Sequence, residues 1–414
     1  MKETIINNIH NSKQLEKLYR ENKTSFKRAF NEVYEEIKES SVAKTWNERL
    51  NFEDENISWG TNKELFFVLA LSLIAGLVAK IPQFALLNEE LFYQRNIGFI
   101  VFPFLCAYVA FKQNISTKKL SIIAVSILIA VLYINFLPNN SKSNTLMLAC
   151  IHLPLFLWAV LGFTFIGDDY KNNNKRIDFL RYNGDVVVLT TIIIIAGALL
   201  TGITLGLFSL IDVKIEEFYF KYIVIFGLAA APIIGTYLVQ TNPHLVNKVS
   251  PVIAKVFTPL VLVTLIAYLF AVIAKGKNPY NDRNFLLIFN MLLIGVMAII
   301  LFSITETSKN SESKFAVTIL FILSFVTIIV NAIAISAILF RISTWGITPN
   351  RIAILGGNIL IFINLSMVTF NLFKTIKSGK EIEQVEKSIA TFLPLYCIWT
   401  MIITFIFPLL FNFK

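Results

Sequence analysis

Two stretches of this chain gather cations, Lys275, Lys277 and Arg283 in one, Arg341 and Arg351 in the other, with Asp282 as their only acidic companion. Arginine forks match phosphate and carboxylate oxygens in pairs, so two arginines converging on one point are equipped to hold an anion. Between them, Thr348-Pro349 reads as an N-cap followed by proline at the first helical position. Arg351 then falls in a helix's first turn, where the dipole disfavours a cation by about 0.3–1 kcal/mol. An anion held by Arg341 and Arg351 under Trp345, with exposed backbone N–H groups, would relieve that conflict. The rival reading is that these cations reach out to lipid headgroups.

A second polar set is uncharged. Asn290, Asn331 and Asn358 lie inside apolar runs, and Ser324 and Thr327 share a helix face with Asn331. At 1.5 Å per residue the three amides sit roughly 9, 14 and 9 Å from the helix ends. Amides in hydrocarbon need partners, so they are expected to face one another, either as interhelical hydrogen-bond glue or as the lining of a polar cavity.

Other chemistry is thin. There is no Gly-rich phosphate loop with its lysine and no His-Glu-x-x-His, and His10, His152 and His244 are far apart. Asp168-Asp169 belongs to a Lys-, Arg- and Asn-rich stretch and reads as a solvated loop. Cys106, Cys150 and Cys397 each stand alone in an apolar run and read as packing residues. No metal or cofactor is expected. Intramembrane charge is nearly missing: Lys80 reads as snorkelling outward from a helix end, Lys255 and Glu306 fall at helix ends, and His152 beside Pro154 reads as a packing histidine.

The elements that must position these residues are membrane spans. Of 414 residues, 56% are hydrophobic and only 15% charged, against about 25% charged in soluble domains. From Leu65 onward, apolar runs of roughly 20 residues recur, each long enough to cross a bilayer. The pattern predicts an all-α polytopic membrane helix bundle of about eleven transmembrane helices, at 65–87, 97–111, 120–137, 145–166, 186–210, 219–239, 252–274, 284–304, 315–340, 352–373 and 389–411. Ala198, Gly202 and Gly206 form a small-residue stripe expected to pack inside the bundle.

Residues 1–64 differ. They hold 11 Lys/Arg and 12 Asp/Glu with no apolar run of signal-peptide length. Leu15, Leu18 and Tyr19, then Phe26, Phe30, Val33 and Ile37, then Val42, Trp46 and Leu50 recur at helical spacing. This predicts a small helical cytoplasmic segment, a docking element for a protein partner, with Trp59 as an interfacial anchor and 65–414 as the bundle. The net charge of +10 therefore resides in loops between spans. That argues for lipid headgroups, not nucleic acid. Predicted inner loops carry 14 Lys/Arg and outer ones 9, which places the N-terminus in the cytoplasm and the C-terminus in the periplasm.

The segment from Arg341 through Trp345-Gly346-Ile347-Thr348 to Arg351 resembles a signature of the bacterial multipass membrane family called domain of unknown function 4153, with Trp345 in place of the more usual Tyr. Leu15-Glu16-Lys17-Leu18-Tyr19-Arg20 and Trp46-Asn47-Glu48-Arg49-Leu50 are similar to members from Bacteroidota-type bacteria. The resemblance implies a bacterial inner-membrane protein and no particular activity. Three functions stay open: a transporter or permease-like protein for an anionic solute or lipid headgroup, a non-catalytic envelope or signalling component, and a membrane enzyme acting on lipid or glycan. The enzyme is disfavoured by the lack of a convincing acid, base, nucleophile or metal set.

Overall fold

The computed structural model describes residues 2–413 except 10, 22, 53–59, 141–142, 169–171, 211–213, 243–257, 260, 264, 267–268, 271–279, 281–282, 308–313 and 379–381, and some helical side chains, Arg283 and Glu306 among them. The described residues are almost wholly helical, with no strand among them. They form two compact units, Met1–Trp59 and Gly60–Lys414.

The first unit has helices α1 (Lys2–Asn7), α2 (Ser12–Glu21), α3 (Lys23–Ile37) and α4 (Ser41–Phe52). The residues picked out by their helical spacing supply its core, with Leu15, Phe26, Phe30 and Trp46 buried. Phe26 meets Trp46 at 5.2 Å between ring centroids, and Tyr19 packs edge-on against both rings. Arg49 lies over Trp46 at 4.7 Å and pairs with Glu16 at 3.0 Å. The Arg20 guanidinium, hydrogen-bonded to Glu16, holds that carboxyl below its ordinary value. Its contribution to the unit is therefore present above the ordinary carboxylate range and fades as pH falls through the lowered value.

The second unit begins at Gly60, not at 65, because Thr61 caps the first membrane helix: its hydroxyl accepts from the Glu64 N–H at 3.2 Å. Among the described residues nine helices are long and apolar enough to cross a membrane. They are α5 (Asn62–Ala79), α6 (Glu89–Gln113), α7 (Thr117–Phe136), α8 (Asn144–Ile166), α9 (Asn173–Leu210), α10 (Glu216–Thr241), then α12 (Lys314–Trp345), α13 (Pro349–Ser378) and α14 (Gln384–Leu410). Between the two groups lies α11 (Arg283–Thr307), 25 residues long.

Hydrogen bonds define the bundle's two ends. At one, Lys112 of α6 bonds Glu64, Ser116 bonds Asp168, and Arg181 of α9 bonds the Thr305 carbonyl and Glu386. At the other, Arg95 bonds carbonyls at the end of α7, Asn350 bonds Asn144, and Ser143 bonds the Phe413 carbonyl. Thr258 bonds Ser303 at the Glu64 end, and Tyr280 bonds Ser336 in the half of α12 toward Trp345. Most of the expected span 252–274 lies outside the described residues. Among the described residues, the nine membrane helices and α11 fall on ten of the eleven spans that the periodicity predicts.

Two boundaries differ from the sequence reading. The second span begins at Glu89, with Asn88 as its cap, and passes through a 3₁₀ turn at Ile97–Ile100 before Pro103. That turn accommodates the proline's missing N–H, so the span is longer than the apolar run. The fifth span begins at Asn173, so 173–185 is helix and not loop. Its first turns belong to both apolar cores: Phe179 packs with α5–α8 and α10, and Ile177 with α11–α14. The small-residue stripe is a correction. A side chain added at Gly202 would meet open space, and the helix around Leu199 and Leu200 is exposed, so the stripe does not pack within the bundle there. Gly206's surroundings lie outside the described residues.

Candidate functional site

Helix α13 carries two buried polar stripes. The first faces α11 and α12. Asn331 Nδ2 donates to the Asn358 carbonyl at 3.0 Å, and Asn358 Nδ2 donates to Asn290 Oδ1 at 2.6 Å. Eleven residues on from Asn358, three helical turns and back on the same face, Thr369 donates to Ser324 Oγ at 2.9 Å. All five side chains are buried. The second stripe faces α14. Asn371 donates to Ser388 Oγ at 2.6 Å, and Asn364, seven residues earlier, approaches the Ser388 carbonyl at 3.5 Å, too long for a strong bond.

The three asparagines singled out by sequence therefore converge, within one hydrogen-bonded chain. Asn364, Thr369 and Asn371 were not singled out, although the seven-residue spacing of Asn364 and Asn371 marks them as one face. From Asn358 to Thr375 the stripes cover roughly 25 Å at 1.5 Å rise, most of a hydrocarbon core of about 30 Å. Two acceptors of the stripes are unfulfilled: Asn331 Oδ1 and Asn364 Oδ1 are buried with no donor among the described residues, as is Asn350 Oδ1 outside the stripes, and the Asn331 and Asn364 side chains are 0% exposed. A buried acceptor without a donor costs about 1–3 kcal/mol and calls for an explanation such as a water, an ion or a functional state.

The three-amide chain yields a direct prediction. Asn290→Ala and Asn358→Ala in a double-mutant cycle are expected to show a coupling of about 0.6 to 1.7 kcal/mol, the range for interhelical hydrogen bonds in lipid. Reversible unfolding from bilayer discs measures it, and zero coupling would mean the 2.6 Å bond is not maintained.

At the Trp345 end both arginines approach one ring. The guanidinium carbons of Arg341 and Arg351 lie 5.0 and 5.9 Å from the Trp345 ring centre, and Arg341 is buried. Gly346, at φ +77°, ends α12 in a left-handed turn that favours glycine, and Thr348 caps α13 through the Arg351 N–H. Arg351 Nη1 donates to the Trp345 carbonyl at 2.8 Å and the Gly346 carbonyl at 2.5 Å. A cation is favoured at a helix C-terminus, so the terminal carbonyls of α12 offset the unfavourable N-terminus of α13. That conflict is resolved without an anion. Lys275 and Lys277 lie outside the described residues, as does the Arg283 side chain.

Charge inside the bundle is richer than the sequence reading allowed. Glu64, expected outside the first span, is 5% exposed and accepts from Tyr108 at 2.8 Å and Lys112 at 2.6 Å. Lys80 does not snorkel. It is fully buried, donates to the Lys221 carbonyl and to Gln83, and lies 4.3 Å from the Tyr222 ring centre. Arg181, placed by sequence in a solvated loop, bridges α9, α11 and α14. His152 Nδ1 lies 2.9 Å from the Leu148 carbonyl of its own helix. Asp168 is an exposed end-of-helix carboxylate, while Asp169, Lys255 and Trp59 lie outside the described residues and so does the Glu306 side chain. Among the described residues no group of three His, Cys, Asp or Glu is placed to hold a metal.

Comparison with protein-family models, curated proteins and solved structures found no match. The chain is a multipass membrane protein by its own sequence and architecture.

Proposed function

We propose that this chain is a permease-like transporter whose route follows the polar stripes of α13, in a closed state. The observation that carries this reading is the pair of buried amide oxygens, Asn331 Oδ1 and Asn364 Oδ1, at mid-depth in a seam that covers most of the span. Polar groups deep in a bundle are retained chiefly where a polar species passes or binds. Amide oxygens and hydroxyls dominate the seam, while guanidinium groups crowd Trp345 at one mouth and a mixed Arg181–Glu386 pair lies toward the other end. That distribution fits a small anionic or neutral polar solute drawn in past Arg341 and Arg351.

In this reading the Glu64 end faces the cytoplasm, since Lys112, Lys118, Lys119, Lys175, Arg176 and Arg181 gather there. The membrane is a bacterial inner membrane, as the resemblance to domain of unknown function 4153 implies, and Met1–Trp59 is a docking unit for a cytoplasmic protein.

Flux tests the proposal. Proteoliposomes holding the wild-type chain are expected to take up at least one of radiolabelled phosphate, acetate or glycerol faster than liposomes holding an Asn331→Leu/Asn364→Leu variant. Equal uptake of all three probes by both would count against transport and favour a scaffold.

A further inference from the structure

A cavity of about 510 Å³ lies between α7, α8, α14 and the first turns of α9. Its walls are almost wholly apolar, with Phe156, Ala159 and Phe163 on α8, Ile122 on α7, and Cys397 and Ile398 on α14. It opens sideways: Ile122, Phe163 and Ile398 on its rim are 47%, 39% and 52% exposed, on the belt of the bundle that faces hydrocarbon. A volume of this size is ordinary for a small-molecule site.

The cavity has one charged wall residue, Arg176, and it belongs to a cluster. Arg176 reaches the Ala390 carbonyl of α14 at 3.1 Å. Lys175 reaches the Ile166 carbonyl at 3.4 Å, and Lys119 donates to the Gly167 carbonyl while lying 4.1 Å from the ring centre of Phe163, itself a wall residue. Lys175 and Lys119 thus sit on the terminal carbonyls of α8, where its dipole favours them, and Arg176 shares the cavity wall with Ile166 of that last turn. Lys118 is exposed beside them, and among the described residues the nearby carboxylates are Asp168, bonded by Ser116, and Asp178 and Glu386, both paired with Arg181. Among the described residues the balance at the polar end is positive, and the remainder of the cavity suits a hydrocarbon chain.

We propose that this groove binds one anionic phospholipid, its acyl chain along Ile122, Phe163 and Ile398 and its phosphate at Arg176, Lys175 and Lys119. Charge complementarity selects the occupant. A zwitterionic lipid fills the apolar wall equally well but gains little from three cations, and a soluble anion gains nothing from the wall. Basic pockets between spans are places where anionic headgroups are retained. Lipid binding in this groove does not depend on any transport activity.

Trp158 lines the cavity and reports on it. The full chain is reconstituted into vesicles of phosphatidylcholine containing a brominated-acyl lipid, either phosphatidylglycerol or phosphatidylcholine, and the Trp158 component is obtained as the difference from Trp158→Phe. Quenching by the brominated phosphatidylglycerol is expected to require about fivefold less lipid, the size of one juxtamembrane cation's contribution. Arg176→Gln should reduce that preference toward unity. Ala159→Trp, read through lipid retention in native mass spectrometry, should fill the groove and lose bound phosphatidylglycerol with every cation still present. Millimolar inorganic phosphate should leave the preference intact. Equal quenching by the two lipids, a preference that survives both substitutions, or displacement by inorganic phosphate would each overturn the proposal.

Discussion

Arg181→Ala is expected to destabilise the membrane unit by about 3 kcal/mol, the low end of the cost of breaking a buried pair, because both partners keep a little exposure. The side chain holds three things at once: the Glu386 carboxylate at 2.5 Å, the Thr305 carbonyl at 2.9 Å and Asp178 at 3.1 Å. Removing it deprives α11 and α14 of their common donor on α9. Replacing both Arg181 and Glu386 by leucine should cost much less, since apolar side chains of similar volume need no counter-ion. Equilibrium unfolding in bilayer discs separates the two cases. An alanine variant as stable as wild type would show that water screens the pair fully.

Gly356 offers a steric counterpart of similar size. A Cβ built there would overlap the Trp399 ring, so α13 and α14 touch at a point where no side chain fits. Gly356→Leu is therefore expected to cost about 1–3 kcal/mol through overpacking, and more if the helices separate. Gly356→Ala should be tolerated better in a Trp399→Phe background, because phenylalanine lacks the indole atoms that approach the glycine. If the alanine costs the same in both backgrounds, the contact does not set the spacing of these helices.

The sequence was most legible where hydrophobicity alone decides. Ten of the eleven runs of bilayer length coincide with the nine membrane helices and α11 among the described residues, and the spacing of Phe26, Phe30 and Trp46 foretells the core of the first unit. It was least legible where polar residues continue a helix. Asp178, Arg181 and Asp185 lower the hydropathy of 173–185 without breaking the helix: Arg181 finds its partners on α11 and α14, remote in sequence, and Asp178 pairs with Arg181. Lys80 reads as a snorkelling end because nothing nearby in sequence discloses the Lys221 carbonyl and the Tyr222 ring. The same holds for Arg351, whose dipole conflict is answered by the helix before it. The Asn290–Asn331–Asn358 chain was accessible from the rule that amides avoid hydrocarbon. Asn364 and Asn371 carry the same signal at a seven-residue interval, and a search for charges passes over them.

Water access at the two orphaned amides tests the transport reading most directly. With Cys397→Ser removing the most accessible native thiol, single cysteines at positions 331 and 364 are exposed to a membrane-impermeant thiosulfonate in vesicles of both orientations. If the seam is a route that opens, both positions react from at least one side, far more slowly than an exposed control at position 118 but measurably, and the reaction accelerates or slows when a transported solute is added. If the seam is only interhelical glue, both cysteines stay unmodified from either side while the control reacts to completion, and the transporter reading fails.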